Sequence, residues 1–96
     1  MFFLNVDYIK PPAQVEQEIK AHGEWIKRYL DKGVFLFAGP KKSGLGGVIA
    51  TKAIAKAELL KILAEDPYVI ADVAEYQIID FDCKLAHEKL QSLLQA

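Results

Sequence analysis

The sequence predicts an α+β domain, a four-stranded antiparallel sheet built in the order βαββαβ with its two main helices on one face. Three observations carry the prediction. Apolar residues alternate at period two through Phe2, Leu4, Val6 and Tyr8, with Asn5 and Asp7 between them. They recur at helical spacing through Val15, Ile19, Ile26, Tyr29 and Leu30. Two apolar runs, Val34 to Gly39 and Gly47 to Thr51, flank a short loop holding Lys41, Lys42, Gly44 and Gly46, as the arms of a hairpin do.

Taken in order, Met1 to Tyr8 is strand one, stopped by Pro11-Pro12. Ala13 to Lys32 reads as one long amphipathic helix, with Pro12 suited to its first turn and Gly33 to its C-terminal cap. The hairpin follows. Lys56 to Glu65 places Leu59, Leu60 and Leu63 on one stripe, and Asp66-Pro67 ends that helix because a residue before proline is pushed out of the helical region. Asp66 and Pro67 also suit the N-cap and first position of a short turn over Pro67 to Ala71. Ala74 to Asp82 returns to strand composition with Tyr76, Ile78, Ile79 and Phe81. Lys84 to Leu94 puts Ala86, Leu90, Leu93 and Leu94 on the face of an added C-terminal helix. No repeat or Pro/Ser-rich linker divides the chain, so residues 1–96 read as a single domain with a core over 1–82 and the added helix over 84–94. Two helical crossovers and a central hairpin are the split βαβ arrangement of the ferredoxin-like fold.

Composition limits the partners. The 96 residues are 52% hydrophobic and 26% charged, the balance of a folded globular domain. Twelve basic against thirteen acidic residues leave a net charge of -1, without the positive field that collects nucleic acid or anionic lipid. The longest apolar stretches, such as Val34 to Ala38, are far short of the roughly 20 residues that span a bilayer, so no membrane partner is expected. A lone cysteine, Cys83, and an N-terminus without a basic leader region point to a reducing cytoplasm. Val34 to Ala38 and Gly47 to Ala50 are apolar on both faces of their strands, whereas a sheet with one face in water alternates. The second face therefore needs a cover, and a second copy of the chain about a two-fold axis is the simplest one; a homodimer through the sheet is expected.

His22, Asp31-Lys32-Gly33, Ala38-Gly39-Pro40, Gly46-Gly47, Asp66-Pro67-Tyr68 and Glu75-Tyr76, in this order after an N-terminal apolar strand, resemble the YCII-related (YciI-like) family over about Met1 to Phe81. The resemblance implies a dimeric α+β barrel with a pocket near the sheet, in which a histidine and an aspartate, by position His22 and Asp66, form an acid–base pair. Members include an enzyme that removes chloride from a hydroxylated aromatic ring and stand-alone proteins of undefined role. Two positions depart from the pattern. Ile19 stands where members often carry an arginine, which removes an anion-binding group, and Ala55 stands where a serine or threonine usually caps the helix after the third strand.

The residues themselves leave alternatives open. His22 falls on the apolar stripe of the first helix, three residues after Ile19 and four before Ile26. There it is either a core-edge histidine satisfied by a carbonyl or a general base tuned by burial and a nearby carboxylate. Asp66 is either an N-cap or also the carboxylate that orients His22. Trp25 and Tyr68 offer aromatic walls for a planar ligand, with core packing as the plainer reading, and Gly39-Pro40 end a strand and, as elements of the family pattern, line the site. The Gly44 to Gly47 loop joins two strands and precedes no helix, so it is not a phosphate cradle. His87 lacks a second ligand at metal spacing and Cys83 has no nearby histidine, so no metal, no cofactor and no cysteine nucleophile are expected. The expected function is a small-molecule enzyme of lyase, isomerase or dehydrochlorinase type acting on a cyclic or aromatic substrate. The alternative is a non-catalytic dimeric module that binds a metabolite or a protein.

Overall fold

The computed structural model describes residues 1–95. β1 (Phe2–Tyr8) leads into α1 (Pro12–Glu16) and α2 (Ile19–Asp31); the hairpin β2 (Phe35–Pro40) and β3 (Gly46–Thr51) precedes α3 (Lys56–Ala64), α4 (Pro67–Ile70) and β4 (Ala74–Asp80). The four strands form one antiparallel sheet in the order β2-β3-β1-β4, which is the ferredoxin-like arrangement expected.

The expected long helix is two. A break at Gln17 and Glu18 separates α1 from α2 and keeps Val15 buried while turning Ile19 out to half exposure. Gly33 closes α2 at φ 74°, and Val34 N–H returns to the Tyr29 carbonyl, the left-handed cap that glycine adopts without strain. α3 starts at Ala55, which has the extended backbone of an N-cap and no side chain to cap with.

Registers place Phe2, Leu4 and Val6 of β1 beside Thr51, Ile49 and Gly47 of β3 on the helix-facing side. Onto them pack Trp25 and Tyr29 of α2 and Leu59, Ile62 and Leu63 of α3, forming the core. The opposite side carries a row across all four strands, Phe37, Ala50, Phe3 and Ile79, reached by an irregularity in β2 between Phe35 and Phe37. Phe37 and Ile79 are about half exposed (50% and 54%). One end of that side is polar and supplies its own partners, with Asn5 donating to Gln77 and Lys41 paired with Asp7. The lysine holds the Asp7 carboxyl below its ordinary range.

Beyond β4 the structure departs from the sequence reading. The strand stops at Asp80, and residues 81–87, expected to end a strand and begin a helix, have no regular structure. A 3-10 segment follows over Glu88–Gln95, broken at Leu90. Leu85, Leu90 and Leu94 remain exposed, so the apolar stripe read over 84–94 finds no surface that would hold an α-helix in place. The start of this segment is tied to β1, with the Met1 ammonium donating to the Phe81 carbonyl at 2.8 Å.

Candidate active site

α2 crosses the sheet with two faces at work. Trp25 and Tyr29 point into the core, and His22, Ile26 and Leu30, each four residues apart, look onto a cleft against β2 and β3. The cleft exists because the sheet beneath is made of small residues. Ala38 lies opposite Ile49, and Gly47 lies between Val6 and Pro40, where any larger side chain would fill the floor. A Cβ on Gly47 would meet the Gly39 carbonyl at 2.9 Å, and one on Gly46 would lie 1.8 Å from the Val6 carbonyl. The cavity measures about 280 Å³ and is lined further by Tyr8, Tyr68, Gly39 and Pro40. Among the described residues no lysine, arginine or carboxylate contributes to its wall.

At the edge of the cleft His22 meets Asp66. The His22 Nδ1 lies 2.7 Å from Asp66 Oδ1, the imidazole 14% exposed and the carboxylate fully buried. The same Oδ1 accepts the Tyr68 backbone N–H at 3.0 Å, so Asp66 caps α4 and holds the histidine together. Its other oxygen, Oδ2, accepts the Tyr76 hydroxyl at 2.5 Å. Every partner of Asp66 is a donor, which suits a carboxylate. With a carboxylate on Nδ1 the neutral ring carries its proton there. Nε2 has no protein partner among the described residues, and no buried side-chain nitrogen or oxygen among them is left unpaired, so this nitrogen is open to the cleft. The imidazole lies flat on the Tyr68 ring, with centroids 3.8 Å apart and planes 8° from parallel, and Tyr8 meets Tyr68 edge-on.

The six residues proposed from sequence thus separate. His22, Tyr68, Gly39 and Pro40 border the cleft, and Asp66 stands behind His22. Trp25 does not line it. Contrary to the expectation of an aromatic wall, its ring is 1% exposed, its indole N–H donates to the Ile62 carbonyl, and it touches the site only through the tilted His22 ring. Spacing could not separate the two faces of α2, because residues 22, 25, 26 and 29 all satisfy a helical stripe. Tyr8 and Tyr76 were missed as site residues. Both sit at helix-facing positions of outwardly ordinary strands, β1 and β4, and their period-two placement was the available signal. His87 is exposed and its Nδ1 accepts the Lys89 N–H. No group of three or more His, Cys, Asp or Glu among the described residues could hold a metal ion.

A model of the YCII-related domain family matches residues 1–82. The chain belongs to this family. Among solved structures it is similar to the 5-chloro-2-hydroxyhydroquinone dehydrochlorinase of Burkholderia phenoliruptrix AC1100, determined in complex with 2,5-dihydroxybenzoquinone. That likeness has a TM-score of 0.68 at 17% identity, over 85% of this chain and 94% of the other, and establishes a shared fold. No curated protein matches the sequence.

The tyrosines make the site sensitive to alkali. Burial, then the Asp66 charge, raises Tyr76 above the ordinary phenol range; burial, then the Tyr8 hydroxyl, does the same for Tyr68. Tyr29 is raised chiefly by its hydrogen bond to Glu65. A group whose folded pKa is raised contributes stability that is present below the unfolded value, 10.0 here, and lost as pH climbs above it. The melting temperature should therefore fall above about pH 10, and Tyr76→Phe should flatten that fall relative to wild type; an equally steep fall in the variant would contradict the assignment.

Proposed function

We propose that this chain is a small-molecule enzyme in which His22 moves a proton on a planar cyclic or aromatic substrate and Asp66 orients the ring. The observation that carries the reading is the spent Nδ1 and the open Nε2: a buried carboxylate fixes one nitrogen, and the other faces a cleft walled by tyrosine and aliphatic side chains. An imidazole held this way takes a proton at Nε2, and the carboxylate stabilises the imidazolium that forms. A proton taken from a ring hydroxyl and returned at a ring carbon tautomerises the substrate. If that carbon carries a leaving group, His22 then takes a proton from a second ring hydroxyl; the freed O–H pair forms a carbonyl, the ring π electrons shift toward the carbon, and the leaving group departs with its bonding pair, so that one proton and the leaving group are lost in all. Isomerisation, lyase-type elimination and dehydrochlorination share this first step, and the related fold binds a hydroxylated quinone. Tyr68 and Pro40 offer flat surfaces for such a ring, and no charged wall selects for a carboxylate or phosphate.

The same reading makes the protein a homodimer. The row Phe37, Ala50, Phe3 and Ile79 gives the open side of the sheet an apolar stripe four strands wide, and the adjacent polar groups already pair with one another, so a second copy can cover the face at small desolvation cost. Cys83, with no cysteine to pair with, fits a cytoplasmic location.

Thermal shift with a panel of hydroxylated aromatics and quinones, 2,5-dihydroxybenzoquinone included, tests the site. A compound present at 100 times its dissociation constant adds about 2.7 kcal/mol. At least one should stabilise the wild type and not His22→Ala, and should be turned over only by the wild type. Equal stabilisation of both proteins without turnover would instead favour a non-catalytic binding module. For the assembly, light scattering at micromolar concentration should give twice the chain mass for the wild type and a single chain for Phe37→Asp; a monomeric wild type would rule the dimer out.

A further inference from the structure

Asp66 can orient His22 only if the carboxylate itself is held. Its terminal torsion is intrinsically broad, so a single hydrogen bond leaves the carboxylate plane free to turn. Both the His22 ring and the Tyr68 N–H fall on Oδ1, and among the described residues the Tyr76 hydroxyl is the donor on Oδ2. We propose that Tyr76 is a positioning residue of the active site, whose hydroxyl pins Oδ2 of Asp66 so that Oδ1 faces Nδ1 of His22 and the ring keeps its proton on that nitrogen. The inference rests on the reading of His22 as the base and adds the residue that sets its tautomer.

The geometry assigns Tyr76 a role that packing alone does not require. It projects from β4 opposite Val6 and reaches a carboxylate that begins α4, bridging the sheet to the turn ten residues earlier in the chain. Asp66 is 0% exposed, so water cannot easily replace a lost donor. Without the hydroxyl, Oδ2 is a buried acceptor with no partner among the described residues, and the carboxylate plane is free to turn so that its two oxygens compete for the His22 ring and the Tyr68 N–H. Oδ1 then no longer stays aligned on Nδ1, and the hold on the Nδ1 proton weakens. The phenol is suited to the task because burial and the Asp66 charge keep it protonated well beyond neutral pH. The titratable rings of Tyr68 from α4 and Tyr8 from β1 lie beside the pair, and among the described residues no cation lines the cleft to take over the task.

Long-range proton–nitrogen correlation spectra of the ¹⁵N-labelled protein report the His22 tautomer directly, with His87 as an internal reference. The wild type should show the proton on Nδ1. Tyr76→Phe should show shifts averaged between the two tautomers, whereas Tyr8→Phe, which removes a nearby hydroxyl that Asp66 does not use, should keep the wild-type pattern. An unchanged Nδ1–H pattern in a folded Tyr76→Phe would overturn the role of Tyr76 and leave the proposed function standing; a wild-type ring protonated on Nε2 would overturn both. Should Tyr76→Phe not fold, 3-fluorotyrosine at position 76 keeps the ring and makes the hydroxyl a stronger donor. It should move the His22 Nδ1 proton resonance, and a resonance that stays in place would overturn the proposal.

Discussion

A carboxylate withdrawn from water must be given donors, because an unpaired buried charge costs several kcal/mol. At Asp66 those donors come from three separate elements: an imidazole from α2, a backbone N–H from α4 and a phenol from β4. None of the three is adjacent to another in sequence, so the carboxylate is satisfied only when helix, turn and sheet have assembled together. Folding and preparation of the histidine are thereby the same event. The N-cap role of Asp66 and its hold on His22 are not rival descriptions, since one oxygen does both.

The cleft has the opposite origin. It arises where the sheet withholds side chains, at Ala38, Pro40 and Gly47, so that Ile26, Leu30 and His22 overhang space while Trp25 and Tyr29 three residues away are packed solid. The same helix thus seals the core on one stripe and roofs a site on the next. Among the described residues the cleft has no charged wall, and His22 is the imidazole that borders it.

Much of this was legible in the residues. Period two in β1, the prolines and Gly33, and the paired apolar runs of the hairpin give the order of elements and the sheet, because each is a local backbone constraint. His22 stood out because an imidazole on an apolar stripe is an unusual placement, whereas Asp66, an ordinary N-cap before proline, was singled out by its place in the family pattern. What the sequence left obscure depended on contacts distant in the chain. The break at Gln17 and Glu18 has no proline or glycine to announce it. Trp25 and His22 satisfy the same periodicity, and only the crossing of α2 over the sheet decides which faces the cleft. Tyr76 became part of the site through β4 pairing with β1, and the stripe over 84–94 promised a helix that has no neighbour to pack against.

The central claim is that His22 and Asp66 act as one unit, joined when the chain folds. A double-mutant cycle on stability with His22→Ala, Asp66→Ala and the double variant tests it most directly. Residues sharing one hydrogen-bond network couple by about 0.5–3 kcal/mol, and the account predicts coupling on the order of 2 kcal/mol, with the second substitution costing much less once the first is made. Effects that simply add, to within about 0.5 kcal/mol, would contradict it.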